Sequence, residues 1–497
     1  MSELAASVER SILERRFRFE ENRTTLARDT VAGVTTFIVM SYIIFVNPAI
    51  LTSVKEADGD RLPFAAVLTS TCLVAGVMTI AMGLFTNRAY AIAPGLGLNA
   101  TVAFTLVGAS GLSFQDAMGL IVLEGLLVTL LVLVGMREAV MAAIPLELKK
   151  AIAVGIGLFI AFIGLDASGL IVRGSAGGPP VLRADFTSWS ILVVLFGLVV
   201  TIALRARGIR GDLLIGIVLT TAFATLVNWA TDYDVYKGTP GEQTWARWPS
   251  DLLEKPDFSI VGHFSFDAFT AAKLGVVGAA AWVFTLFLAD FFDTMGTLVG
   301  VGRQAGYLNE RGELPDVRRP LLVDSLAAVA GGAASSSSAT TYIESAAGVS
   351  VGGRTGWVSV VTGALFFPFL FLAPLIGMVP RPATAPALLI VGWLMISVLS
   401  EAEEEAEPHA EGDDRRRALA GIDFSDVALG LSAAIVIMFM PFMFSITDGI
   451  AAGFIVYVLV RVVQGRAAQV HPLMYAAAGA FVLYFLVPLA RDNFSWI

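Results

Sequence analysis

Apolar stretches of about 20 residues recur along almost the whole chain, and they constrain its fold more than any other feature. They begin near Thr30 and continue to Pro488. A helix of about 20 apolar residues is long enough to cross the roughly 30 Å hydrocarbon core of a bilayer. Only 15% of the residues are charged, against about 25% in ordinary soluble domains. The sequence therefore predicts an all-α polytopic membrane protein and excludes a soluble multidomain enzyme.

The apolar runs, bounded by charged residues, Pro or Gly, predict about 14 transmembrane segments. Twelve of them are typical of ordinary spanning helices: 30–51, 64–86, 115–136, 147–166, 188–206, 212–231, 270–300, 321–338, 355–376, 383–399, 425–443 and 447–464. The segments 89–109 and 339–352 are interrupted by Gly, Pro or Ser, and we interpret each as a short extended strand leading into a half-helix. A further apolar run at 472–490 does not fit this count.

The distribution of Lys and Arg in short loops predicts the orientation, because cytoplasmic loops carry the excess of positive charge. Six arginines lie between Arg10 and Arg28, and the basic loops near Lys149, Arg205 and Arg318 fall on the same side. This predicts a cytoplasmic N-terminus and a place in the cytoplasmic (inner) membrane. The charged run 401–417 is then a cytoplasmic, solvated linker, and nucleic acid is not expected as a partner.

The two halves of the chain show a weak internal similarity. A shift of 252 residues places the interrupted segment around Tyr90 on the one around Tyr342. An odd number of crossings in each half inverts the second half relative to the first. Paired interrupted segments in inverted halves are the best sequence indication of a transporter binding site. The sequence thus predicts two inverted seven-span repeats with a site where the two half-helices face each other.

Few ionisable residues lie deep within the predicted spans, and each is a functional candidate because charge in a bilayer is costly. Asp290 and Asp293 lie three residues apart, on adjacent positions of one helical face of the span 270–300. Glu344 lies in the second interrupted segment, and Asn99 occupies the matching place in the first. Half-helices would bring unpaired N–H groups toward the membrane midplane. We therefore expect a polar pocket with Asp290 and Glu344 as its acidic walls.

The chemistry of this residue set favours a particular class of ligand. An ionised carboxylate accepts hydrogen bonds, a protonated one also donates, and an amide does both, which suits a planar heterocycle with neighbouring N–H and C=O groups. An anion is disfavoured, since no Lys or Arg lies deep in these spans. Burial disfavours a charged carboxyl, so Asp290, Asp293 or Glu344 can exchange a coupled proton. Sodium stays an alternative coupling ion, and a structural hydrogen bond stays an alternative role for Asp293.

Other polar residues have simpler interpretations or none. Glu124, surrounded by Gly and Leu, is a buried acid without an assigned role. Asp324 and Glu138 lie near the ends of predicted spans, where snorkelling or solvent exposure accounts for them. The three His residues lie in loops or at span edges, so neither a metal site nor a cofactor is expected. The single cysteine, Cys72, cannot form an intrachain disulfide and is interpreted as a small buried hydrophobic residue.

Three strings at these residues carry a resemblance to a known family: AIAPGLGLNA, FLADFFDTMGTLVGV and SSSSATTYIESAAGVSVGGRTG. They resemble the adenine/guanine/hypoxanthine permease branch of the nucleobase-ascorbate transporter family, the nucleobase:cation symporters. The resemblance covers nearly the whole chain, including VPRPATAPALLIVGWLM and the C-terminal VHPLMY. It implies that Asp290 and Glu344 bind a purine base, that Asn99 completes the pocket and that Asp293 helps to couple the proton.

The same resemblance implies the domain organisation and the partners. It implies a substrate-holding core domain that moves like an elevator against a gate domain, which mediates contacts in a homodimer. In this sequence the divisions are a cytoplasmic arm 1–28, core segments 29–136 and 270–376, gate segments 137–232 and 377–497, and an extracytoplasmic loop 233–269. The expected partners are a purine nucleobase, a proton or sodium ion, the lipid bilayer and a second copy of the chain.

Three alternatives stay open from the sequence. The same architecture can carry uracil, xanthine, uric acid or an inorganic anion. A passive channel is disfavoured, because carboxylates beside interrupted inverted helices favour alternating access. An intramembrane aspartyl protease needs aspartates on two helices and a Gly-x-Gly-Asp string, whereas Asp290 and Asp293 share one helix and Asp290 follows Leu-Ala.

Overall fold

The chain folds into a bundle of apolar helices with four very short strands. The computed structural model describes residues 13–56, 59–135, 143–173, 181–183, 187–232, 235, 245–270, 273–309, 314–397 and 422–493. Among these residues, eight helical segments are long and apolar enough to cross a membrane: Leu26–Leu51, Phe64–Thr86, Phe114–Leu133, Leu146–Ala167, Trp189–Ala206, Asp212–Ala230, Gly275–Gln304 and Ile446–Val463. The prediction of a multi-pass all-α membrane protein is confirmed, while the count of 14 spans and the inverted repeat stay predictions.

The helices of the first half have the following bounds: α1 Leu26–Met40, α2 Ile43–Leu51, α3 Phe64–Thr86, α4 Leu96–Ala100 continuing as a π-helix Thr101–Ala109, α5 Phe114–Leu133, α6 Leu146–Ala167, α7 Trp189–Ala206 and α8 Asp212–Ala230. Those of the second half are α9 Gly275–Gln304, α10 Arg318–Ala333, α11 Ser345–Ser350, α12 Gly356–Ala364, α13 Ala373–Gly377, α14 Arg381–Ser397, α15 Val427–Phe442, α16 Ile446–Val463 and α17 Pro472–Asn493. The strands are β1 Ile92–Pro94, β2 Ile171–Arg173, β3 Val181–Arg183 and β4 Ala339–Thr341.

Two of the predicted continuous spans are interrupted. The span predicted at 30–51 consists of α1 and α2, with a turn at Ser41 and Tyr42 between them. The span predicted at 355–376 consists of α12, a 3₁₀ turn at Phe367–Phe371 and α13. Pro368 and Pro374 each lie in the first turn of the element that follows a break. A proline lacks the backbone N–H that would continue the preceding helix, so it begins a new one.

The two interrupted segments form the structures that their sequences predict. Strand β1 precedes α4, strand β4 precedes α11, and the two strands pair antiparallel with Ala93 opposite Thr340. The ladder is extended by Gly95 N–H donating to Ser338 O at 2.9 Å and Tyr342 N–H donating to Ala91 O at 2.9 Å. Extended backbone at membrane depth requires such pairing, because no water is there to hydrogen-bond its N–H and C=O groups. The prediction of short strands leading into half-helices is confirmed.

The helices pack in two groups. In the first group α5 packs on α10, α3 on α12, and α1 on α11 and α12, around the paired strands and α9. In the second group α6 packs on α14 and α15, while α7 and α8 pack on each other and on α14. Helix α4 contacts α6, so the first half-helix lies where the two groups meet. The predicted division into core and gate domains has the same helix membership but stays a prediction.

Glycines allow α3 and α12 to cross at backbone contact. A Cβ atom at Gly83 would lie 2.3 Å from Gly356 O, and one at Gly363 would lie 2.5 Å from Gly76 O. No real Cβ contact is that short, so the two helices must separate if either glycine gains a side chain. Small residues at membrane helix interfaces have this function, since close packing replaces the hydrophobic driving force that lipid removes.

We expect Gly83→Ala to destabilise the protein by about 1–3 kcal/mol, the usual effect of overpacking. The measurement is the thermal unfolding midpoint of the purified protein in detergent. Gly479→Ala in α17 is the matched control, because a Cβ there would meet nothing within 4 Å. Equal midpoints for the two variants would contradict the close crossing of α3 and α12.

The last helix, α17, accounts for the apolar run that the sequence count leaves over. It packs on α9 and on α16, which itself packs on α15 of the second helix group, and therefore joins the second group to the first. Phe481 is fully buried in this contact, with its ring centroid 5.8 Å from that of Phe284 and 6.0 Å from that of Phe454. An apolar cavity of about 190 Å³ lies beside it, lined by residues of α9, α16 and α17.

Candidate functional site

The paired strands position the second half-helix through a dense set of hydrogen bonds. The Tyr342 hydroxyl donates to Pro94 O, across the two interrupted segments. Ser345 Oγ accepts from Ala91 N–H at 2.9 Å and donates to Tyr342 O at 2.6 Å. Glu344, which lies between these two residues in the chain, is the N-cap residue of α11. The backbone that carries Glu344 is therefore fixed from both sides.

Glu344 has one hydrogen-bond partner and remains partly accessible. The Tyr42 hydroxyl, from the turn between α1 and α2, donates to Glu344 Oε1 at 2.7 Å. Tyr42 is buried, Glu344 is half-buried, and the neighbouring Ile343 is 51% exposed. Because the phenol occupies only one carboxyl oxygen, Glu344 keeps acceptor capacity toward the accessible side.

Helix α9 presents two different faces at the level of Glu344. Asp293, Gly296 and Gly300 follow one another along a helical face, and all three are exposed. A Cβ at Gly296 would meet nothing within 4 Å, and one at Gly300 would lie 3.8 Å from Ile343 Cδ1. The charge of Asp293 interacts with that of Glu344. An open space thus lies between the glycine face of α9 and the start of α11, with two carboxyl groups on its walls.

Asp290 lies only about 60° around α9 from Asp293, but its side chain is directed into the protein, so the two aspartates do not share one pocket. Asp290 is fully buried, and neither carboxyl oxygen has a hydrogen-bond donor. Its neighbour is Glu124 of α5, which is also fully buried and lies within hydrogen-bonding reach of Asp290. Glu124 Oε2 accepts from Ser338 Oγ at 3.2 Å, while Glu124 Oε1 has no partner.

The interpretation of Asp324 as a snorkelling or solvent-exposed residue is wrong. Asp324 is 1% exposed and accepts three hydrogen bonds. Its Oδ1 accepts from Thr341 N–H at 2.7 Å and from Thr341 Oγ1 at 2.6 Å, and its Oδ2 accepts from Thr294 Oγ1 at 2.7 Å. The physical reason is that β4 returns from the end of α10 alongside that helix, so backbone donors reach the carboxylate. Asp324 fixes β4 against α9 and α10.

Some of the predicted residues stay without a structural assignment. Asn99 in α4 is fully buried, and neither its amide oxygen nor its amide nitrogen has a partner. It lies at the matching place of the first half-helix, but its role in a pocket stays a prediction. Glu138, His409 and the charged run 401–417 lie outside the described residues.

Five carboxyl groups gather in this region: Glu124, Asp290, Asp293, Asp324 and Glu344. Among the described residues, none of the five forms an ion pair with Lys or Arg. The positive charge that acts on Glu344 belongs to Arg205, which is itself paired with Asp212 at 2.8 Å. Within the described part of the chain, no three His, Cys, Asp or Glu residues come together as metal ligands. The site is therefore acidic and suited to hydrogen-bond donors and protons.

A buried tyrosine, Tyr307, lies near the N-terminus of β1. The Tyr307 hydroxyl accepts from Ala89 N–H at 3.0 Å and donates to Arg354 O at 2.7 Å. Burial raises the pKa of Tyr307 to about 12, so the phenol is a neutral donor at physiological pH. It therefore ties the segment before β1 to the segment before α12 under all ordinary conditions.

A second open space lies at the opposite ends of the helices, between the two groups. It is a cavity of about 550 Å³ near the C-terminal ends of α2 and α6, with Lys55, Asp166 and Arg381 among its lining residues. The aromatic ring of Phe444 lies on this cavity, 5.5 Å from the ring of Phe104 and 5.3 Å from that of Phe159.

The solved structures with similar folds define the class of this protein. The transmembrane domain of a cyanobacterium bicarbonate transporter, BicA, aligns with a TM-score of 0.55 at 14% identity, covering 86% of this chain and 96% of that chain. SLC26A9 aligns with a TM-score of 0.60 at 10% identity, covering 93% of this chain and 70% of that chain. At these identities the likeness concerns the fold, which is that of a multi-pass transmembrane domain.

The sequence comparisons give the family. The Permease family model, Xan_ur_permease, matches residues 28–407, and the chain belongs to this family. The adenine permease AdeP of Escherichia coli K12 is 38% identical over 474 residues, covering 95% of both chains. The guanine/hypoxanthine permease PbuG of Bacillus subtilis 168 is 35% identical over 479 residues, covering 95% of this chain and 98% of that protein. The family resemblance read from the three motifs is confirmed.

Proposed function

We propose that this protein is a secondary active transporter that takes up purine nucleobases, of the class adenine, guanine and hypoxanthine, together with protons. The observation that carries the proposal is the pair of accessible carboxyl groups, Asp293 and Glu344, that line the open space beside the paired strands. The relatives that align over nearly the full chain are named as adenine and guanine/hypoxanthine permeases. A purine presents N–H donors along its edge, and carboxylates are the natural acceptors for them.

The accessible surfaces suggest how the roles are divided among the candidate residues. Glu344 has one oxygen free of Tyr42, and Asp293 faces the open space without a side-chain hydrogen bond to the described residues, so both can accept from the base. The family resemblance implies that Asp290 binds the base directly, but its complete burial beside Glu124 favours an indirect role. Asn99 lies in the opposing half-helix, where its unpaired amide can complete the recognition of a purine.

Transport requires the site to face each side of the membrane in turn. We propose that the first helix group together with α4, which between them carry all the candidate residues, is the core domain, and that the second group is the gate domain against which it moves. In this proposal the gate helices form the contact of a homodimer. The basic loops support a cytoplasmic N-terminus and a location in the inner membrane. The cavity near Phe444 then belongs to the extracytoplasmic side, and the space beside Asp293 and Glu344 is the base site.

The test is uptake of radiolabelled adenine, guanine, hypoxanthine, xanthine and uracil into proteoliposomes, with an imposed inward proton gradient, a sodium gradient or neither. We expect gradient-dependent accumulation of one or more of the three purines, abolished by a protonophore. Accumulation driven only by sodium would reject proton coupling while keeping the substrate class. Uptake of uracil or of an anion in place of purines would reject the substrate class, and equilibration without accumulation would indicate a channel.

A further inference from the structure

Glu124 is a buried acid for which the base site provides no role. It lies in the middle of α5, is fully buried, and has one carboxyl oxygen without any partner. Across from it, Asp290 of α9 is equally buried and has two such oxygens. The two carboxyl groups lie within hydrogen-bonding reach of each other. Three of the four oxygens therefore lack a donor from the rest of the protein.

A proton shared by Glu124 and Asp290 would supply the missing hydrogen-bond donor between the two carboxyl groups. Carboxyl groups can hydrogen-bond to each other only when one of them is protonated, since an ionised carboxylate is an acceptor alone. Two uncompensated negative charges side by side in a buried place are strongly unfavourable. A metal ion would need more oxygen ligands than the two groups supply, and the described residues hold no cluster of three acidic, His or Cys ligands.

Among the described residues, the elements that pack on α5 bring no positive charge beside Glu124 that could replace the proton. Helix α9 contributes Asp290, and α10 contributes Asp324, which is already saturated by Thr294 and Thr341. The π-helix after α4 has no charged residue, and Asp267 of the 3₁₀ turn that packs on α5 is exposed. The described cations that contact α5 lie at its two ends. Lys273 is bound to Asp116 at the beginning of the helix, and Arg318 donates to Leu133 O at 2.9 Å at its last residue.

The pair is connected to the base site by two short covalent paths. Asp290 lies three residues before Asp293 on α9. The Asp290 carboxyl group belongs to the buried pair, and the Asp293 carboxyl group faces the open space. Ser338, which donates to Glu124, directly precedes β4, and β4 leads within three residues to Glu344. A change in the protonation of the pair therefore alters a hydrogen bond of the same strand that positions Glu344.

We propose that Glu124 and Asp290 share one buried proton, and that Glu124 is the positioning residue which, through this proton and Ser338, couples proton movement to binding of the base at Asp293 and Glu344. This inference rests on the proposed proton-coupled function. It assigns the proton to a site separate from the base, and it assigns a role to an acid on α5 that does not line the open space.

The transport test compares Glu124→Gln with the wild-type protein and with Glu254→Gln. Glu254 lies exposed in the segment before α9, so its replacement removes the same charge away from the site. We expect Glu124→Gln to lower gradient-driven accumulation about 10-fold or more while exchange of labelled for unlabelled base falls no more than about 3-fold, since a neutral amide leaves Asp290 without a partner proton. Glu124→Asp is expected to restore part of the accumulation. Unchanged accumulation in Glu124→Gln, or loss of exchange to the same degree as accumulation, would overturn the coupling role.

A spectroscopic test is independent of transport. Infrared difference spectra of the purified protein across a pH titration report the carbonyl stretch of protonated carboxyl groups. We expect one such band to be lost or shifted in both Glu124→Gln and Asp290→Asn and retained in Glu254→Gln. A band unaffected by both substitutions would overturn the shared proton. If the wild-type protein transports no purine yet this band behaves as expected, the proposed function fails while the proton pair stands.

Discussion

Glu344→Gln and Asp293→Asn are each expected to lower purine uptake by about 100-fold or more, because a ligand donor left without its acceptor weakens binding at a hydrogen-bonding site. Each substitution removes the charge and one acceptor position from the wall of the open space. A charge-assisted hydrogen bond is roughly twice as strong as a neutral one, so in each variant the base loses one of its two strongest partners. The measurement is initial uptake in proteoliposomes, paired with equilibrium binding of the base to the purified variants.

Two further variants distinguish binding of the base from support of the carboxyl group. Tyr42→Phe removes the single donor to Glu344 and is expected to lower uptake only about 3- to 10-fold, the effect of one buried hydrogen bond. Glu344→Asp keeps the charge but shortens the side chain, so weak binding is expected to remain. Wild-type affinity in both Glu344→Gln and Asp293→Asn would show that the base binds elsewhere. Loss of affinity in Asp290→Asn alone would restore direct contact of the base to Asp290.

The sequence predicts the broad arrangement of this site because its strongest signals are local. Gly and Pro interrupt the segment around Asn99, and a run of Ser and Thr interrupts the segment around Glu344, so both must leave the helical conformation at membrane depth. The structure pairs these very segments as β1 and β4. Aspartates and glutamates are rare within membrane spans because placing an ionisable group in the bilayer costs free energy. Each one is therefore a candidate functional residue.

The different roles of the acidic residues cannot be predicted from one sequence, because they depend on tertiary contacts. Three residues along a helix correspond to about 300° of rotation, so Asp290 and Asp293 point in directions about 60° apart. From the sequence the two residues share one helical face, but in the structure this angle separates buried Asp290 from exposed Asp293. Glu124 acquires a partner only because α5 packs beside α9. Its signal in the sequence is a lone acid among Gly and Leu. Thr294 and Thr341, which donate to Asp324 in the structure, lie 30 and 17 residues from it in the sequence, so they give an equally weak signal.

Asp324→Ala is expected to produce the largest loss of stability among substitutions in the site. The carboxylate accepts from Thr341 N–H, from Thr341 Oγ1 and from Thr294 Oγ1. Removing it leaves buried donors without an acceptor, at a cost of about 1–3 kcal/mol each, so a loss of about 3 kcal/mol or more is expected. The unfolding midpoint in detergent measures this loss. Uptake is expected to fall with it, because β4 positions Glu344.

Asp324→Asn and Thr341→Val separate the contributions to this effect. Asparagine keeps one acceptor for Thr341, and the Thr294 hydroxyl, which already contacts Thr340 Oγ1 at 2.6 Å, can accept from the new amide group. Thr341→Val removes one hydroxyl donor and leaves the backbone bond to Asp324 intact. The loss of stability should therefore be largest in Asp324→Ala and smaller in the other two. An Asp324→Ala protein as stable as Thr341→Val would contradict the anchoring of β4 by this carboxylate. A stable Asp324→Ala protein without uptake would instead place Asp324 among the residues that act on the base or on the proton.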